Sequence, residues 1–216
     1  MWKLSEKKLL VENTGRIDDS QWVEIFIDIV DSYMNYYKKN SNIKNYPRFS
    51  QWVEPFIFYV DTKIKEIEDR IKIKINVSGL KYLCLPFNTI LGSLSQEYNP
   101  DWDNILDVKT KAIQCSLRLR GMTNICDTFV KMIHSSMNRI YEDNQDISAC
   151  FFKGKDITCY SVKLLDADYH GSQTGVFLIE YDCGKIVYKP RDLSICHLWN
   201  YFVKTCAPNY LKSVKC

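Results

Sequence analysis

The sequence predicts an α+β protein in which a helical body over residues 1–145 is followed, over 146–216, by a three-strand antiparallel meander and a closing helix. Two patterns carry that expectation. Through the earlier part of the chain apolar residues recur at i, i+3, i+4 and i+7, the spacing of one helix face. After Asp146 they alternate, the spacing of one strand face. Composition agrees: 216 residues with 46% hydrophobic and 25% charged side chains, but only 8 Gly and 6 Pro, suffice for a sizeable core without staples.

From Gln21 to Lys39 the stripe is Trp22, Ile25, Phe26, Ile29, Val30, Tyr33 and Tyr37, with Ser20 placed to cap it. After the polar loop NSNIKNYP a second helix starts near Ser50 and carries Trp52, Val53, Phe56, Ile57, Val60, Ile64 and Ile67 inward. Pro55 falls in its first turn, where a missing N–H costs little. The run LKYLCLPFNTILGSLSQ is apolar on more than one side, as in a helix buried among others, with a kink expected at Pro86 and a stop at Asn99-Pro100. A fourth helix is expected from Asp101, using Trp102, Ile105, Leu106, Ile113 and Leu117. A fifth, from about Thr123, uses Ile125, Phe129, Met132, Ile133, Met137, Ile140 and Tyr141.

The alternating segments are DITCYSVKLLDA, GVFLIEY and KIVYKP, the last two joined by DCG, an Asp-x-Gly turn signal. From Leu193 to about Cys206 helical spacing returns with Leu198, Trp199, Phe202 and Val203.

Charge excludes some functions. Lys plus Arg number 29 against 26 for Asp plus Glu, and the signs are interleaved. That bias is too weak to predict a nucleic-acid partner. The sharpest basic cluster, Lys109, Lys111, Arg118 and Arg120, has no accompanying series of aromatic stacking residues and is expected to be a solvated helix face, the alternative being a membrane-surface role. Nine cysteines, an odd count with no CxxC pair and no zinc-type spacing, indicate free thiols in a reducing compartment and no metal site. The opening MWKLSEKKLLVENTG lacks the apolar core of a signal peptide, and the longest apolar run, FIFYV, is too short to span a bilayer. A cytoplasmic protein without a transmembrane segment is expected.

The order strand, loop DYHGSQTG, strand, turn, strand ending in Lys189 is that of the phosphate-handling half of a kinase-type N-lobe. With Tyr181 facing Lys185 across an Asp182–Gly184 turn, Lys189 is expected opposite Phe177. A lysine is a compact charge with three donors, suited to holding phosphates. Asp168 and His170, two residues apart in the loop, share one side of an extended backbone, and Gly171 and Gly175 permit close approach of a ligand. The loop lacks the kinase GxGxxG pattern.

The same residues resemble the N-terminal dehydration domain of class II lanthipeptide synthetases (the LanM type, DUF4135). The family pattern is roughly GD-x-H-x-x-G-x-x-V, an alternating strand, a Gly-containing turn and VYKPR. Asp168, His170, Val176, Gly184 and the intact VYKPR from Val187 to Arg191 fit it. Ala167 and Gln173 stand where the family usually has glycine, which stiffens the loop. FSQWVEPFIFYV in the helical part is also similar to the family.

The resemblance implies an enzyme that phosphorylates Ser or Thr of a precursor peptide with ATP and Mg, then eliminates the phosphate to give dehydroamino acids. It implies Lys189 on the phosphates, Gly171 and Gly175 beside the nucleotide, and Asp168 and His170 assisting transfer or elimination. The chain ends at Cys216, so a C-lobe with its magnesium ligands is not expected within it. The chain is read as the leading part of such a dehydratase, inactive and binding no cofactor strongly when alone, with the remaining synthetase segment or subunit as a partner. A second reading is a catalytically dead module that grips a peptide or a synthetase subunit, and a third is a generic cytosolic α+β domain in which YKPR is incidental.

Overall fold

The computed structural model describes residues 2–14, 20–39, 51–77, 82–83, 86–87, 90, 98–165, 175–189 and 194–206. Helices dominate, and a four-stranded mixed sheet packs on them. The class is α+β, as the sequence predicts. Among the described residues no helix is long and apolar enough to cross a membrane.

The helical layer is built around α2 (Gln21–Lys39), α3 (Val53–Ile71) and the long α5 (Ser116–Glu142), which pack on one another. Its centre is aromatic. Phe26, fully buried on α2, has the rings of Trp2, Trp22, Trp52 and Phe56 between 6.0 and 6.3 Å away, in tilted or edge-on arrangements. The stripe that α5 turns inward is Leu119, Met122, Cys126, Phe129, Ile133, Met137 and Ile140. Within WVEPF, the Trp52 indole donates to the Tyr98 carbonyl at 2.8 Å, and Tyr33 donates its hydroxyl to the buried Glu54 carboxylate at 2.5 Å. Burial and that carboxylate push the Tyr33 hydroxyl well above its ordinary range.

Several features depart from the sequence reading. A short helix α1 (Leu4–Glu12) precedes the first expected one, held by Leu10 in the core and by Glu6, which accepts from the Lys3 backbone N–H at 2.6 Å and from Lys109 Nζ at 2.9 Å. Lys109 is therefore buried beneath Trp2, not solvated, and Lys111 is tied to Asp107 and the Asn99 carbonyl. The fourth helix, α4 (Ile105–Gln114), starts later than Asp101 because Asn104 caps it, accepting from Leu106 and Asp107 N–H, and it breaks at Cys115. Ile105, Leu106 and Leu117 are exposed, not in the core. Most of the expected helix around Pro86 lies outside the described residues.

After α6 (Asn144–Phe151), which runs across the expected boundary at 146, Lys153 and Gly154 take left-handed backbone conformations and end the helix. The meander follows as β2 (Cys159–Leu164), β3 (Phe177–Tyr181) and β4 (Gly184–Tyr188), antiparallel throughout. A fourth strand, β1 (Lys74–Asn76), lies in a stretch read as wholly helical and pairs parallel with β2, giving the order β1-β2-β3-β4. Glu68 of α3 accepts the Ile75 N–H at 2.6 Å and so satisfies a backbone donor of this edge strand. Ile75, Val162, Leu164, Phe177, Ile179 and Tyr181 face the helices and are buried. The C-terminal helix α7 (Ser194–Cys206) is present as expected.

Candidate functional site

Leu164, Phe177 and Tyr188 are in register across β2, β3 and β4, so the end of β2, the start of β3 and the end of β4 meet at one end of the sheet. Lys189 leaves β4 there. Both stems of the segment 166–174 attach there too. The Leu165 N–H donates to the Val176 carbonyl at 2.8 Å, and the Tyr82 hydroxyl donates to the Leu164 carbonyl at 2.7 Å. The strand periodicity thus brings the lysine and the base of the Asp-x-His loop together. Asp168, His170 and Gly171 themselves lie outside the described residues.

Gly175 is described, and its surroundings differ from the expectation of a residue clearing space for a ligand. It is buried. A Cβ there would lie 2.5 Å from Leu164 Cδ1 and 3.3 Å from Phe177 Cζ, so protein side chains already fill the space beside it. Its smallness serves the packing of the loop base.

The hairpin register also differs by one residue from the expectation. Tyr181 pairs with Gly184, Glu180 with Lys185 and Phe177 with Tyr188, because only Asp182 and Cys183 form the turn. Partners in an antiparallel pair project to the same face, so Tyr188 joins the helix-facing side. Lys185, Val187 and, by continued alternation, Lys189 belong to the outer side. That outer side has a distinct make-up. Leu178 pairs with both Lys163 and Val187, which sets two apolar side chains in line between lysines, and Lys74, Lys163, Lys185 and Lys189 on this side are all exposed.

Further along the same face, Asn76 donates to Ser161 at 2.8 Å, and Lys185 is paired with Glu180. The ammonium of Lys185 holds the Glu180 carboxyl below its ordinary value, and the Lys185 pKa rises in return.

On the inner side the Tyr188 hydroxyl donates to Asp143, at the α5–α6 junction, at 2.6 Å. Burial first, and then Asp143, raise that phenol far above its usual range. The residue next to Lys189 is therefore fastened to the helical layer. Nothing in the periodicity flags Asp143 or Tyr82.

Residues 118–216 match the family model described as Domain of unknown function (DUF4135). The match begins at the start of α5 and takes in the whole meander and α7. No curated protein matches the chain.

Proposed function

We propose that the chain supplies the nucleotide-holding part of a lanthipeptide-type dehydratase, which phosphorylates Ser or Thr of a precursor peptide from Mg-ATP and eliminates the phosphate. The observation that carries this reading is the DUF4135 match over residues 118–216, a domain associated with lanthipeptide synthetases, which encloses Asp168, His170 and Lys189 within one stretch. The outer side of the sheet supports it with a chemically suitable surface. Leu178 and Val187 offer an apolar platform for a base, and Lys189, two residues from Val187, offers an ammonium for phosphates. When bound, ATP supplies the phosphoryl group. The part assigned to Lys189 is to hold its charge and orient it. Asp168 and His170 are assigned to phosphoryl transfer or elimination by resemblance alone.

The test combines the chain with a separately expressed C-terminal dehydratase segment from the same source, Mg-ATP and a Ser/Thr-rich precursor, and follows peptide mass. Loss of water is expected in the combined sample. Lys189→Met should lower its rate by about 10²–10³-fold, the usual cost of removing one preorganised electrostatic group. Arg191→Met should be close to wild type. Full activity in Lys189→Met would overturn the assignment.

One observation favours a binding module instead. Leu198, Trp199, Tyr201 and Phe202 of α7 are all exposed, the kind of anchors that subunit interfaces use. Retention of a precursor or synthetase segment on the immobilised chain without ATP, unchanged in Lys189→Met, would select this reading.

A further inference from the structure

A groove of about 630 Å³ runs along the seam between α3 and α5. One wall is Lys63, Glu66, Ile67 and Arg70, at i, i+3, i+4 and i+7, a single stripe about 10 Å long at 1.5 Å per residue. Val130, Lys131 and His134 lead the other wall.

The floor is apolar, and the rim carries three cations, two of them already paired with carboxylates. Ile67 is buried and Val130 half-buried, while Lys63, Arg70 and Lys131 face a single lining carboxylate, Glu66. Lys63 is paired with Glu66 at 3.0 Å and Lys131 with Asp127 at 2.6 Å. Arg70 and His134 have no ion-pair or hydrogen-bond partner among the described residues. A guanidinium and an imidazole thus stand ready at either wall, above an apolar strip that an alkyl side chain can cover. Free phosphate would use the cations and leave the strip bare. The length of two helical turns, with charge along it and apolar surface beneath, suits a polypeptide segment.

We propose that the α3–α5 groove binds an acidic peptide segment, its carboxylates meeting Arg70 and His134 and its apolar side chains resting on Ile67 and Val130. The proposal is independent of the nucleotide reading, because its residues lie outside the sheet and its test contains no nucleotide.

The test is fluorescence anisotropy of a short fluorescein-labelled peptide of Glu and Leu against the full chain, with a Lys/Leu peptide of equal length as the comparison. Saturable binding of the acidic peptide alone is expected. Arg70→Glu should weaken it by about tenfold or more, through loss of a charge-assisted hydrogen bond and gain of a like charge. Lys65→Glu makes the same charge change at an exposed α3 position outside the groove and should leave binding within about twofold. Circular dichroism melts of both variants should overlay the wild type. Three results would overturn the proposal: equal weakening by the two variants, binding of both peptides alike, or displacement of the acidic peptide by inorganic phosphate or an oligonucleotide at lower concentration than by unlabelled peptide.

Discussion

At residue 175 a backbone without a side chain has two explanations, room for a ligand or room for the protein's own core, and the surroundings favour the second. Leu164 and Phe177, which crowd the site, are themselves buried, at 1% and 0% exposure, so neither can swing out to admit a methyl group. Gly175→Ala should lower stability by about 1–3 kcal/mol, the range for overpacking a filled core, read as a fall in the urea midpoint. An unchanged midpoint with weakened nucleotide binding would return Gly175 to the ligand. The sequence could not decide this, because a glycine before a strand looks the same whether the space beside it is filled by solvent, ligand or leucine. Lys189 was legible by contrast. Its type, its place at a strand end and its neighbour Pro190 all stand in the sequence, and only its face of the sheet needed the pairing register. The register was misread because an Asp-x-Gly signal fits a turn of either two or three residues, and one residue of slip reverses every side chain.

Among the elements, α2, α3 and α5 were readable because each buries a continuous stripe over many turns. The meander was readable from alternation. Three elements escaped, α1, β1 and α6, the last of which runs across the boundary expected at 146. In α1, Leu10 is the sole buried residue, so no periodicity accumulates, and its docking depends on Glu6 and Lys109, far apart in sequence. In β1 three residues are too few to show alternation, and its partner is distant. The helix α7 poses a different problem, since its spacing was clear but what it packs against was not. Val203 is buried at 2% exposure, whereas Leu198 and Tyr201 are about two-thirds exposed, at 68% and 70%. The purified chain should therefore self-associate, visible as a concentration-dependent mass in light scattering. Leu198→Lys with Phe202→Lys should restore a single monomer mass, with thermal stability changed by no more than about 0.5 kcal/mol. A wild type already monomeric at high concentration, with little hydrophobic-dye binding, would contradict this.

Over the whole molecule, stability should respond to acid through carboxylates held by lysines. Glu6, with an ordinary value of 4.5, is lowered chiefly by its hydrogen bond from Lys109, and Asp107, with an ordinary value of 3.8, chiefly by that from Lys111. A carboxyl whose pKa is lower folded than unfolded contributes stability above its unfolded value. That contribution is lost as the pH falls through the folded value. The urea midpoint should hold steady down to pH 4.5 and decline below it. Glu6→Gln should start lower at neutral pH and decline less steeply in acid, and a slope equal to wild type would show that the α1 latch contributes nothing. Exposed pairs such as Lys185–Glu180 add little.

The parallel edge strand has a bearing on how the chain comes into being. Asn76 and Ser161, hydrogen-bonded in the finished sheet, are 85 residues apart in sequence, whereas β2, β3 and β4 are near neighbours along the chain. Distant parallel pairings close late, since the entropy of ordering the intervening chain is lost before any contact compensates it. During synthesis the segment Lys74–Asn76 emerges well before Ser161 exists. Until the ribosome delivers β2, the helical half carries this strand without its pairing partner, its Ile75 N–H held by the Glu68 carboxylate and its Ile75 carbonyl by the Val77 N–H.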